Sequence, residues 1–332
     1  MSNSLVRRAV RQLFVPVVAG LVILGHSVSS AAQTIDPPVN VDVNCGQGDS
    51  VGSVLATYAN GIGLLTICIT GVCAEQITVK RSNVSIEGQG TGAGIQATAP
   101  LYGIVVTDGA HNVSVDNLTI VGGTAAAWVS RNAHAEFSNI VARQSLLGMS
   151  ASDNGTMDVT ASVMSNNTYG AYAIRSGVVI VRNSTIENNT VGVIGMKNGT
   201  VNLTSIMPDG ATVTGVTVRN NGTGGIARSG GLVEISDARI ENSGNVGLLV
   251  DSSSSVHLFG SLNGVGNTIT GNGSAGVLVQ KNSSIVITDA NNTLTGNLFG
   301  ILCQNNPSFI VPATGFGNVS GNANGNVVGC TP

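Results

Sequence analysis

Charge is scarce in this chain of 332 residues: Asp, Glu, Lys and Arg together make up 9% of it. Lys plus Arg number 14 and Asp plus Glu 17, a slightly acidic balance that argues against nucleic acid as a partner. Helical spacing is missing too. No central segment repeats apolar residues at three- and four-residue steps, which excludes a helical repeat. The Leu-x-x-Leu-x-Leu frame of a leucine-rich repeat is absent. Cysteine is missing from the whole middle of the chain, since Cys45, Cys68 and Cys73 come early and Cys303 and Cys330 late. Cys68-x4-Cys73 is not a usual zinc spacing and no histidine clusters with it, so these cysteines read as structural.

Glycine is abundant instead, at 45 residues, and in the centre it falls on a fixed period. Residues 134–155, 156–177 and 178–199 are three segments of equal length. Gly155, Gly177 and Gly199 recur every 22 residues, as do Gly148, Gly170 and Gly192. Each segment opens with alternation: Ala135 and Phe137, Met157 and Val159, Val179 and Val181 are apolar, with mostly polar residues between. Period two marks a strand with one buried face. An Asn-rich turn and a second alternating run follow. A unit of this length suits one turn of a parallel β-solenoid. Stacking then places residue i over residue i+22 at roughly 4.8 Å. Apolar residues form internal columns, and Asn166, Asn188, Asn167 and Asn189 can form ladders at the turns. Such packing needs little charge, which accounts for a mean hydropathy of +0.30 that would otherwise suggest a membrane protein.

In chain order, residues 1–32 read as a secretory leader. Arg7, Arg8 and Arg11 precede the apolar run Leu13–Leu24, and Ser30-Ala31-Ala32 offers a cleavage site. Its removal takes three arginines, leaving 11 basic against 17 acidic residues, a net charge near −6. No membrane span is then expected in the mature chain. Residues 33–82 read as an N-terminal cap with first strands, including a helix capped by Asp49-Ser50 and running through Val51, Val54, Leu55 and Tyr58. Coils fill 83–306, with about ten surplus residues near Met207-Pro208-Asp209-Gly210. Residues 307–332 close the structure. Cys303 and Cys330 lie 27 apart, about one coil, so a disulfide would pin that end. Two of the three early cysteines could pin the cap, leaving one unpaired.

The repeated strand, Asn turn, Gly, strand frame resembles the right-handed parallel β-helix proteins of the pectin-lyase-like superfamily. So does the opening Leu65-Thr-Ile-Cys-Ile-Thr-Gly-Val-Cys-Ala-Glu, followed by Asn83-Val-Ser-Ile-Glu-Gly, which is similar to secreted bacterial members. The likeness spans roughly 40–330 and implies an all-β right-handed parallel β-helix with a short capping helix. The family includes pectate lyases, polygalacturonases, alginate-modifying enzymes, tailspikes and adhesins. The Asn-Thr-Asp, Gly-His-Gly and Arg-Ile-Lys strings of polygalacturonases are absent, as is the Asp-Pro-His-Asp of mannuronan epimerases. No Asp cluster matches the calcium site of pectate lyases.

The period lets outward columns be read directly. One holds Trp128, Ser150, Tyr172 and Ile194; another holds Arg131, Asp153, Arg175 and Lys197. Glu136 and Asp158 are stacked neighbours, with His134 on the same face and Arg182 in the adjacent column. Read as a glycan groove on one corner, Trp128 and Tyr172 cover sugar faces while Arg131 and Arg175 bind sugar carboxylates. Glu136 and Asp158, with Arg182, would then serve as catalytic groups or hold a cation. Read plainly, Arg131–Asp153–Arg175 is a salt-bridge ladder and the carboxylates keep a strand soluble. His111, His134 and His257 read as surface residues. The outward apolar Ile194, Leu249, Leu278 and Leu302 lie under long loops or mark a subunit contact.

The function expected from these features is an exported, periplasmic or extracellular protein that binds a polysaccharide, an acidic one included. A cleaving version acts as lyase or hydrolase. The other reading is a non-catalytic surface, adhesion or structural scaffold. No cofactor is specified by these residues.

Overall fold

The computed structural model describes residues 37–205, 214–260, 266–288, 290–310 and 317–330. The leader read over 1–32 and the loop around Met207-Pro208-Asp209-Gly210 lie outside these residues. The chain divides into Met1–Thr34 and Ile35–Pro332, and the second unit is described below. Among the described residues no helix is long and apolar enough to cross a membrane.

The chain winds through three parallel sheets, one of 12 strands and two of 11. One coil supplies His134–Ser138 to the first sheet, Val141–Arg143 to the second and Leu147–Ser152 to the third. Each strand pairs with its equivalents in the coils before and after. The step is 22 residues where Glu136 pairs with Asp158 and Trp128 with Ser150. It becomes 32 from Thr185 to Thr217, so the ten surplus residues fall between Thr204 and Thr217. The all-β parallel β-helix expected from the period is the fold observed.

Alternation decides the interior. Ala135, Phe137, Met157, Val159, Val179 and Val181 point inward and are buried. Met164 and Ile186 from the second sheet and Ala171 and Val193 from the third meet them in one continuous core. At the corner from third to first sheet each coil turns through two residues of positive φ: Arg131 and Asn132, Asp153 and Asn154, Arg175 and Ser176, Lys197 and Asn198. The periodic glycines come next and have a different reason. Gly155, Gly177 and Gly199 carry no positive φ, but a Cβ on Gly177 would collide with the carbonyl oxygen of Ala151, and one on Gly199 with that of Ala173. They are stacked, as the bonds Val178 N–H to Gly155 O and Thr200 N–H to Gly177 O require, both 2.9 Å.

At the corner from second to third sheet, Asn167, Asn189 and Asn221 form a buried ladder. Asn272, Asn297 and Asn322 continue it after an interruption at Ser243. Of the two Asn columns the sequence offered, only this inner one forms the ladder. Asn166 and Asn188 are exposed and adopt the left-handed backbone that Asn tolerates.

At the N-terminal end the helix Val51–Thr57 buries Val51 and Leu55, and Ser50 caps it by accepting from Ser53 N–H. Glu75 accepts from the Val51 and Gly52 amides and from the Ser50 hydroxyl, so a carboxylate sits at the positive end of the helix. The strand Val39–Asn44 precedes it and pairs with Leu65–Thr70. Disulfides join Cys45 to Cys73 and Cys303 to Cys330, and Cys68 is the unpaired thiol.

Candidate functional site

Because Ala135, Phe137, Met157 and Val159 fill the core, the residues between them must face outward on the first sheet. This places Glu136 and Asp158 on adjacent coils, below Ser114 and above Ile180 in one column. The neighbouring column runs Asp116, Ser138, Thr160, Arg182. Together they line a depression of about 190 Å3 formed by Ser114, Glu136, Ser138, Asp158, Thr160 and Arg182 over the buried Phe137.

Asp158 is the centre of this patch. It accepts from Arg182 Nη1 at 2.5 Å and lies 3.1 Å from His134 Nε2. Each partner reaches it diagonally, His134 from the preceding coil and Arg182 from the following one. All three are shielded unequally: Arg182 is 13% exposed, Asp158 19% and His134 40%. The stacked carboxylates are therefore not equivalent. Asp158 has both oxygens occupied by His134 and Arg182, whereas the Glu136 carboxylate is exposed and makes no hydrogen bond or ion pair among the described residues. Chemically, Asp158 can orient an imidazole and fix a guanidinium, and Glu136 can accept a proton or a sugar hydroxyl. The surface reading of His134 misses this pairing. The signal for it was present: His134 lies two residues before Glu136, hence on the same strand face.

The other expected site residues stand elsewhere. Trp128 and Tyr172 lie on the outer face of the third sheet, around a corner from Glu136. They flank Ser150, which is fully buried between them with its hydroxyl unpartnered. Trp128 packs edge-on against Tyr102 with centroids 5.5 Å apart, and Tyr172 against Tyr169 at 5.5 Å. Burial raises the Tyr172 phenol above its ordinary range. These rings cover their own sheet, and the structure does not bring them to the carboxylates.

The charged corner column is a ladder of ion pairs. Arg131 meets Asp108 at 3.0 Å, and Arg175 meets Asp153 at 2.7 Å. The hydrogen bond from Arg175 holds the Asp153 carboxyl below the usual range, and that from Arg131 does the same for Asp108. Farther along, Asp251 takes both Arg228, at 3.2 Å, and Lys281, at 3.1 Å.

Glu234 and His257, 3.6 Å apart, share the Glu136 column several coils away. The apolar column Ile194, Leu249, Leu278 and Leu302 is continuous on the third sheet and includes Ile226 and Val328. Ile194 is buried; the others are partly exposed. Cys45, Cys73 and Glu75 lie close enough to hold a metal ion, but the sulfurs are joined to each other and Glu75 caps the helix.

A family model described as the right handed beta helix region matches residues 102–257 and again 162–312. No curated protein matches the chain significantly. Among solved structures, the A-module of mannuronan C-5 epimerase AlgE6 from Azotobacter vinelandii is similar at 15% identity and a TM-score of 0.50, over 87% of this chain and 100% of that one. Pectin methylesterase PemA from Erwinia chrysanthemi is similar at 13% identity and a TM-score of 0.38, over 74% of this chain and 80% of that one. At such identities the likeness is one of fold.

Proposed function

The chain belongs to the right-handed β-helix family, and from that premise we propose that it is an exported protein that binds a polysaccharide strand on the outer face of its first sheet. The observation that carries this reading is the depression at Glu136, Asp158 and Arg182, where consecutive coils present hydroxyl, carboxylate and guanidinium groups at the repeat of the fold. A saccharide offers hydroxyls at a comparable repeat, and such groups recognise them by hydrogen bonds. Glu136 faces the ligand as the unpartnered carboxylate. Asp158 holds His134 and Arg182 in place. In the cleaving version, Glu136 and His134 exchange protons with the sugar while Asp158 orients the imidazole. Arg182, locked to Asp158, positions rather than acts as base. The corner arginines Arg131 and Arg175 and the rings Trp128 and Tyr172 stand outside this path. The two disulfides suit an oxidising compartment, in line with export.

A non-catalytic scaffold is favoured by one specific observation: both oxygens of Asp158 are already taken, which leaves Glu136 without a second available carboxylate beside it. The test is a screen of acidic and neutral polysaccharides for binding, with unsaturated ends and reducing ends assayed as products. Binding lost in a Glu136→Gln, His134→Ala double variant supports the site. Product formed by the parent chain and abolished by Glu136→Gln supports cleavage, and binding without product supports the scaffold. Absence of binding to every polysaccharide discards the proposal.

A further inference from the structure

The second sheet carries its own outward column: Gln96, Val121, Arg143, Ser165, Glu187, Arg219, Glu241. Position in this column decides which charges are paired. Arg219 stands between two carboxylates and meets Glu187 at 2.8 Å. Arg239, two residues before Glu241, meets it at 2.8 Å. Arg143 stands between Val121 and Ser165, neither of which carries charge. The nearest carboxylate of its column, Glu187, is two coils away, roughly 10 Å at the spacing of parallel strands. Arg143 is exposed, and its guanidinium makes no hydrogen bond or ion pair among the described residues. Eight other basic side chains face a carboxylate: Lys80, Arg131, Arg175, Arg182, Arg219, Arg228, Arg239 and Lys281. Lys197 shares the state of Arg143 but sits on an open corner.

In front of Arg143 lies a depression of about 370 Å3. Val72, 50% exposed, and Val121 give it an apolar wall. Gly94 leaves its floor without a side chain, and it must, because a Cβ there would come within 2.6 Å of the Thr119 carbonyl. Gln96 and Thr119 add an amide and a hydroxyl at the edge. The volume lies within the ordinary range of small-ligand sites. One guanidinium with no second cation beside it suits a single negative charge, and an Arg fork matches a carboxylate in two parallel bonds.

We propose that this depression is a second saccharide site, separate from the first sheet, that takes a carboxylate-bearing sugar residue. The carboxylate seats on Arg143, the C–H face of the ring lies against Val72 and Val121, and ring hydroxyls bond Gln96 and Thr119. The site uses none of the residues of the reading above, although it shares its saccharide chemistry.

The experiment titrates the full chain with tri-galacturonate and, separately, with the neutral trisaccharide maltotriose. Calorimetry gives affinity, and backbone amide shifts give location. Tri-galacturonate should shift the amides of Gly94, Gln96 and Thr119. Arg143→Ala should weaken that binding roughly tenfold, the loss of one charge-assisted bidentate contact. Arg143→Lys should recover only part of it, since an ammonium lacks the planar fork. Glu136→Gln should leave these shifts in place. The inference is overturned if affinity is unchanged in Arg143→Ala, if maltotriose binds equally well, or if nothing binds. Shifts confined to Ser114, Asp158 and Thr160 would also overturn it while leaving the first-sheet reading standing.

Discussion

Replacing Asn189 by Ala tests how the coils are held in register. Asn189 is buried, and its side chain makes three hydrogen bonds across coils. Its Oδ1 accepts from Asn167 N–H at 2.8 Å. Its Nδ2 donates to Met164 O at 3.0 Å and to Asn221 Oδ1 at 3.1 Å. Alanine removes all three. A typical internal hydrogen bond contributes about 1 kcal/mol net, so the three together are worth about 3 kcal/mol. The loss also strands the Asn167 N–H in a buried place, where an unmet donor costs about 1–3 kcal/mol by itself. Counting the Asn167 bond once, as that stranding cost, the total is about 3–5 kcal/mol. The bond from Asn189 N–H to Asn221 Oδ1 survives, since it uses the backbone. Asn322, itself partly exposed at the end of the second ladder, should cost less when replaced by Ala, because water can enter where its side chain stood. Urea unfolding followed by far-ultraviolet circular dichroism measures both. A cost below about 1 kcal/mol for Asn189→Ala would show that the ladder records the register without enforcing it.

Two further outcomes follow from charges whose partners are known. Asp158→Ala should destabilise the chain by about 1–3 kcal/mol, because it leaves the mostly buried Arg182 without its carboxylate, while Glu136→Gln should stay within about 0.5 kcal/mol; thermal unfolding of the two variants compares them, and equal costs would contradict the inequivalence described above. Asp251 is 2% exposed and faces Arg228 and Lys281. Its burial alone would raise the carboxyl, but the bonds from Lys281 and Ser252 and the two positive charges outweigh it and hold it below its ordinary 3.8. A carboxyl lowered by folding stabilises above its unfolded value and loses that contribution as pH falls through the folded one. The unfolding midpoint of Asp251→Asn should therefore lie below that of the parent chain at pH 6, and the gap should close as pH drops below about 4; a gap independent of pH would refute the assignment.

The fold was legible because a solenoid writes its contacts into its period. Once Gly155, Gly177 and Gly199 were aligned, every pairing from Trp128 to Arg182 followed by counting. Counting failed where the unit length changes. The strand Val39–Asn44 alternates Val-x-Val-x-Val, yet it lies 26 residues before its partner and was absorbed into the cap. The site was legible only in part, for a geometric reason. A column lists neighbours along one line, while long side chains also reach diagonally. His134 and Arg182 both meet Asp158 on diagonals, so the columns grouped Glu136, Asp158 and Arg182 but did not show that Asp158 takes both His134 and Arg182 while Glu136 stands apart. The corner groove failed for another reason: residues five apart in sequence, such as Arg131 and Glu136, are separated by a turn that sends them to different faces.

Because each outward charge is placed by the same repeat, its pairing can be rewritten one rung at a time, and this gives the sharpest test of Arg143. Ser165 is its neighbour in the column and is followed by Glu187 and Arg219. Ser165→Asp inserts a carboxylate one coil from Arg143, with Glu187, already held by Arg219, as its neighbour on the other side. Ser165 is 8% exposed, so a carboxylate there also costs stability through desolvation, and thermal unfolding of the variant measures that cost separately from binding. Binding should change too, because the guanidinium fork would be occupied and a negative charge would stand beside the seat of the sugar carboxylate. Tri-galacturonate affinity at the second sheet should fall at least as far as in Arg143→Ala, with Arg143 itself intact. The same titration in Ser165→Asn separates charge from bulk, and that variant should bind as the parent does. If Ser165→Asp and Ser165→Asn bind alike, the charge on Arg143 plays no part in recognition at that surface.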